Sequence, residues 1–156
     1  MKLEINLKKI AETAVEKNEE NRSFATYLKQ QNLEEIDKIA HRLSEKITDA
    51  IDCVACGSCC NNLRPIATRE AVGQFVVEEK IDEYMYLERF SCKNLDVDCK
   101  SCTAYLDRPQ ECRDFPYMDR NNFVNRTHGI LQNYEICPIV FNVYESLKTE
   151  LKWKVD

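Results

Sequence analysis

Ile36, Ile39, Leu43, Ile47 and Ile51 recur at steps of three, four, four and four, which draws one apolar stripe along a helix that starts near Asn32. Upstream, Ile5 to Leu28 is rich in Ala, Glu and Lys but interrupted at Asn18, Asn21 and Ser23, a pattern that predicts helix with a break. Near the other end, Pro138 suits a first helical turn, and Val140, Val143, Leu147 and Leu151 form a second stripe. Between these flanks the periodicity weakens. Thr68 is placed to cap a helix over 69–79, with Glu70 at its positive end, and Asp82 to open another through Arg89. Asp119-Arg120-Asn121-Asn122 reads as a turn between two short strands, Phe115 to Met118 and Phe123 to Arg126. The expected architecture is mainly α, with helical flanks (1–52 and 138–156) around a loop-rich, cysteine-rich centre (53–137) that holds a short β-hairpin. The three segments are expected to form one compact domain.

Composition sharpens this picture at one point. The chain has 156 residues, 44% of them apolar, with only 3 Gly and 4 Pro, so it is long enough to bury a core without staples. Its nine cysteines therefore need another explanation. A net charge of −5, with no segment carrying a basic excess, argues against a nucleic-acid-binding module. No apolar run approaches the length of a membrane span. Charges within Met1–Lys9 leave no signal-peptide core there, and the expectation is a cytoplasmic protein whose thiols stay reduced.

All nine cysteines fall between Cys53 and Cys137, and four of them sit in Cys53-Val54-Ala55-Cys56-Gly57-Ser58-Cys59-Cys60. Two residues between cysteines let the backbone curl until both sulfurs face one centre, as zinc and iron–sulfur sites require. Gly57 lies inside the curl, where a residue without Cβ turns most easily. Adjacent Cys59 and Cys60 either serve two centres or divide between ligand and supporting shell. Cys99-Lys100-Ser101-Cys102 repeats the spacing, and Cys137-Pro138 supplies a Cys-Pro step like that of bacterial ferredoxins. Cys53, Cys56, Cys59 and Cys137 form one reading of the core ligand set, with Cys60, Cys92, Cys102 and Cys112 completing it or forming a second site. No βαβ pattern surrounds the box, which disfavours a metal-free redox dithiol.

The box, followed by Cys102-Thr103-Ala104-Tyr105-Leu106-Asp107-Arg108-Pro109-Gln110-Glu111-Cys112-Arg113-Asp114-Phe115-Pro116, resembles the bacterial cysteine-cluster family of CxxCxxCC zinc- or iron-chelating domains. The likeness spans residues 53 to 137. It implies that Cys53, Cys56, Cys59, Cys60, Cys92, Cys102, Cys112 and Cys137 hold zinc or iron, the latter including a 4Fe-4S cluster. Cys99 has no place in the pattern.

Converging thiolates leave a centre net negative, and Arg108 and Arg113 are placed to offset that charge around the metal. Asp107 is expected to cap a short helix with Pro109 in its first turn, presenting Cys112 and Arg113 inward. Tyr105 and Phe115 read as core. His41 reads as a structural histidine beside the apolar stripe, and His128 as a lesser candidate for ligand or proton carrier. The sequence contains no GxGxxG and no recognisable catalytic triad. An iron–sulfur enzyme with redox or methyl-transfer activity rests only on the related domain found in flagellin lysine methylase. A metal carrier or adaptor docking a protein through the acidic helical flank is the third class.

Overall fold

The computed structural model describes residues 2–65, 67–87 and 89–154. The fold is mainly α, as the periodicity predicts. It divides into two units, one formed by Met1–Ile51 with Pro116–Asp156 and the other by Asp52–Phe115. The second unit thus interrupts the chain of the first.

In the first unit α1 (Leu7–Glu16) and α2 (Asn18–Leu28) meet at Lys17, so the expected break falls just before Asn18, the first of the polar interruptions, and α3 spans Leu33–Ala50. Asn32 accepts hydrogen bonds from the Glu34 and Glu35 amides, both at 3.1 Å, so two of the unpaired donors of α3 are satisfied by the residue that starts it. The buried face of α3 is Ile36, Ala40, Leu43, Ser44 and Ile47. Ile39, expected in the stripe, is only half-buried, and Ala40 takes its row. The helix Pro138–Glu150, which packs on α3, has Pro138 in its first turn and buries Val140, Val143, Tyr144 and Leu147 completely. Each such aliphatic side chain contributes roughly 1.5–3 kcal/mol. Asn142, also buried, ties the amino terminus down: its side chain accepts from the Glu4 amide at 2.9 Å and donates to the Glu4 and Pro138 carbonyls at 2.7 Å.

The expected strand at Phe123–Arg126 is instead the start of a helix, Phe123–Leu131. Read to its end, this segment buries Phe123, Val124, Thr127 and Ile130, a helical period that four residues alone do not reveal. Its amino terminus is capped from a distance. The Asp37 carboxylate of α3 accepts the Asn122 and Phe123 amides at 2.8 Å each. Arg126 closes the preceding loop by donating to the carbonyls of Tyr117, Asn121 and Arg120.

The second unit is built of short elements: α4 (Cys53–Cys56), α5 (Ser58–Asn62), α6 (Arg69–Val72), a 3₁₀ turn (Glu78–Lys80), α7 (Ile81–Tyr84), β1 (Leu95–Asp96), β2 (Ser101–Cys102) and α8 (Gln110–Asp114). With these named, Phe123–Leu131 is α9 and Pro138–Glu150 is α10. Thr68 does cap α6, accepting the Ala71 amide at 3.3 Å, but the helix stops far short of Glu79. The carbonyls that would continue it are taken by another segment. Lys93 Nζ donates to Gly73 O, Asn94 Nδ2 to Gln74 O and the Lys93 amide to Phe75 O. The helix opened near Asp82 likewise ends at Tyr84, whose hydroxyl donates to Pro65 O at 2.7 Å; Glu88, within its expected course, lies outside the described residues. Val72, Phe75, Val76 and Tyr84 form the buried core of this unit, with Cys92 and Cys112 packed against it. A short antiparallel hairpin exists, as expected for the fold, but it pairs Leu95 with Cys102 and Asp96 with Ser101. No helix among the described residues is long and apolar enough to cross a membrane.

Candidate metal centre

Asp52, which sequence reading passed over, organises the start of the cysteine box. Its carboxylate accepts the Val54 and Ala55 amides at 2.9 and 3.2 Å and so caps α4, the turn that carries Cys53 and Cys56. An Asp immediately before a short helix is the available signal. Gly57 then turns the chain into α5 at φ +57°. A Cβ at this position would sit 2.6 Å from the Lys100 carbonyl oxygen, so the glycine is required both by its backbone angle and by the close approach of the hairpin loop. Gly57→Ala should therefore cost at least about 1 kcal/mol from the left-handed backbone alone, and more from the contact. Weaker metal retention in a chelator competition is the expected outcome; unchanged retention would contradict this account of the turn.

The other thiols are brought in by backbone bonds far apart in sequence. The Cys92 amide donates to Cys60 O at 2.9 Å, and Cys92 O in turn accepts from Leu95. Leu95 faces Cys102 in the hairpin, and the Thr103 amide donates to Asn94 O at 2.8 Å. Packing of α4 beside β2 sets Cys102 next to the box. Cys112 lies on α8, half-buried against the same apolar cluster as Cys92.

Asp107 does not cap α8: Pro109 holds that position and its carbonyl accepts the Cys112 and Arg113 amides. Proline has already fixed the entry angle there, and with no side-chain cap bond the first turn is closed through the Pro109 carbonyl. Arg108 is half-buried, with its guanidinium carbon 4.0 Å above the Tyr105 ring and Nη1 donating to Tyr105 O. Arg113 is exposed and turns back on the chain, donating from Nε to Arg108 O at 2.9 Å and from Nη2 to Leu106 O at 2.8 Å.

The thiols bear on one another's ionisation. Burial pushes the Cys53 thiol up, and Cys56 and Cys60 add to the effect while Arg108 opposes it. Burial followed by the charges of Cys60 and Cys102 raises Cys92. Cys112 is pushed up to about 11 by burial and then by Cys60, Cys92 and Cys102. Cys60 is the exception, held down at about 7 chiefly by a hydrogen bond from the Cys59 thiol. Thiols that raise one another's pKa resist ionising together, and a divalent cation among them removes that resistance. Soft sulfur donors suit zinc or iron. The donor set therefore fits such an ion, although among the described residues no three Cys, His, Asp or Glu groups already converge as a finished ligand set.

Four further residues singled out in the sequence remain to be placed. Cys99 is exposed on the hairpin loop, with Sγ 2.8 Å from Ser101 Oγ and its amide held by Asp96. Cys137 belongs to the first unit, buried at the cap position of α10, with its amide donating to Asn133 O. Both histidines also belong to the first unit: His128 is exposed on α9, and His41 on α3 has Nε2 buried without a hydrogen-bond partner.

Comparison with known protein families yields a match over residues 52–138 to the CxxCxxCC model, described as a "putative zinc- or iron-chelating domain". No curated protein and no solved structure matches the chain.

Proposed function

The chain belongs to the CxxCxxCC family, and on that premise we propose that its Asp52–Phe115 unit chelates zinc or iron through Cys53, Cys56, Cys59, Cys60, Cys92, Cys102 and Cys112. The observation that supports this reading is that all seven thiols, from four separate stretches of chain, lie in one unit of short elements, with Cys92 and Cys112 packed against its Val72–Phe75–Val76–Tyr84 cluster. Such a unit has more ligand than core. The metal serves here as its organising centre, drawing in loops that regular structure does not fix. Arg108 offsets the thiolate charge near Cys53, and Arg113 holds the 106–108 turn that presents it. Ionised ligands need a reducing compartment such as the cytoplasm.

Anaerobic purification followed by metal analysis, sulfide analysis and a visible spectrum tests the reading. Stoichiometric zinc without sulfide fits a structural or carrier site. Iron with acid-labile sulfide would move the centre to cluster chemistry, and the absence of both metals would sink the proposal. Within the site, Cys56→Ser or Cys59→Ser should abolish stoichiometric binding, while Cys99→Ser, whose thiol is engaged by Ser101, should leave it nearly intact. Equal metal content in all three variants would overturn the ligand assignment.

A further inference from the structure

Among the described residues, the large hydrophobic side chains left exposed in the first unit are Ile5, Leu7, Val15 and Leu33, and three of the four belong to α1 or to the residues leading into it. Leu7, Ala11 and Val15, all exposed, follow one another at steps of four, so they form a single row along the helix. Ile10, the buried residue of α1, stands about 100° around the helix from Ala11 and anchors a different face. Val15 is 76% exposed and contributes nothing to that anchorage. Hydrophobic residues scattered singly over a surface are ordinary, but a row at helical spacing on one short helix is an unpartnered face.

The charges beside the row point to its occupant. α1 carries two lysines, Lys8 and Lys9, and two glutamates, Glu12 and Glu16, so its net charge is zero and it has no electrostatic pull on anionic lipid or on a partner of one sign. Lys9 is turned away to Glu4 at 2.5 Å. Lys8 and Glu12 border the row on the side away from Ile10, 87% and 62% exposed. A positive group followed one turn later by a negative one is complementary to its own copy running in the opposite direction. We propose that this face of α1 is a self-association surface, on which α1 of a second copy lies antiparallel across a two-fold axis near Ala11. Leu7 then meets Val15 of the second copy, the small Ala11 side chain lets the helices approach at the axis, and Lys8 lies beside Glu12 of the second copy on both sides of it. A parallel pair would instead turn the charged border toward the Ile10 side of the other helix, which is already spent on its own core. The ten residues of α1 make a face only about 15 Å long. Such a contact falls short of the roughly 1,000 Å² that a stable interface buries, so the dimer is weak and concentration-dependent.

Sedimentation equilibrium of the full chain, from micromolar concentration up to about 1 mM, tests the proposal. The protein is kept reduced so that no disulfide between the exposed Cys53 and Cys99 of different copies contributes. The wild-type chain should show a reversible monomer–dimer equilibrium, and Val15→Glu, which sets a charge against Leu7 of the second copy, should remain monomeric throughout. Unchanged Trp153 emission confirms that the variant is folded. Lys8→Glu and Glu12→Lys should each weaken the dimer several-fold, and the double exchange should restore it, because the swapped charges again face each other in an antiparallel pair. A wild-type chain that is monomeric over the whole range would overturn the proposal, as would a dimer indifferent to Val15→Glu. A double variant no stronger than the single ones would overturn the antiparallel register. Binding of the monomer to vesicles of anionic phospholipid, lost in Val15→Glu, would give the row to a lipid surface and remove the second copy as its occupant.

Discussion

Stripping the metal with a chelator at neutral pH is expected to unfold the Asp52–Phe115 unit and to leave the unit formed by Met1–Ile51 and Pro116–Asp156 folded. The expectation follows from what each has without the metal. Helices of four or five residues have no independent stability, and the second unit adds to them a two-residue ladder and one small apolar cluster. Structural thiolate sites bind zinc with about 10 to 16 kcal/mol of apparent free energy, comparable with the roughly 5 to 15 kcal/mol that keeps a whole domain folded. The first unit has long helices with a shared core. Trp153, the only tryptophan, packs 5.0 Å from Phe24 and 6.4 Å from Tyr27, so its fluorescence reports the first unit alone. Chelation should make Lys and Arg sites between residues 52 and 115 susceptible to trypsin while Trp153 emission holds steady. Simultaneous loss of the Trp153 signal, or unchanged protection of the second unit, would contradict this division of labour.

The second large effect is expected at Lys148. Its side chain is 6% exposed, and Nζ donates to Glu20 Oε1 at 2.7 Å, Asn21 Oδ1 at 2.6 Å and Glu145 Oε1 at 2.7 Å, so all three protons are used. Glu145 also accepts from Lys17 and from the Tyr134 hydroxyl. Removing one partner of a buried ion pair costs about 3 to 5 kcal/mol because the remaining charge stays buried. Lys148→Met should fall near the lower end, since Lys17 still faces Glu145 and Glu20. Exposed pairs such as Lys8 with Glu12 are worth less than about 1 kcal/mol and make a fitting control.

The same network sets an acid dependence. Burial pushes the Glu145 carboxyl up, but hydrogen bonds from Lys148 and Lys17 outweigh it and hold the group below its ordinary value. A depressed folded pKa stabilises above the unfolded value, and that stabilisation is lost as pH falls through the folded value. Urea midpoints read from Trp153 should therefore drop on acidification below the ordinary carboxylate range. The drop should be smaller in Lys148→Met, and equal midpoints for variant and wild type at neutral pH would refute the network's importance.

What the sequence made legible follows from how local each cause is. Asn32 starting α3 and Pro138 starting α10 act on their own neighbours, and both helices lie where periodicity predicts them. The cysteine box announced its chemistry through spacing alone. Misplaced elements were decided elsewhere in the chain: α9 is capped by Asp37, and α6 is stopped where Lys93 and Asn94 occupy the carbonyls of residues 73–75. No window of local sequence contains those partners. Likewise the spacing Cys53-x2-Cys56 points to a site, but the Cys92 amide on Cys60 O and the Gly57–Lys100 approach appear only once the hairpin is in place.

The interruption of one unit by the other bears on how fast the chain folds. In the first unit α3 packs on α9 and α10, so every one of those contacts must first close a loop that contains the whole thiol-bearing stretch. Loop closure is an entropic cost that grows with the logarithm of loop length, and domains dominated by distant contacts fold slowly. An ion bound early by that stretch draws its ends together and shortens the effective loop. Metal availability then governs the folding rate of a unit that holds none of the seven thiols proposed to bind it.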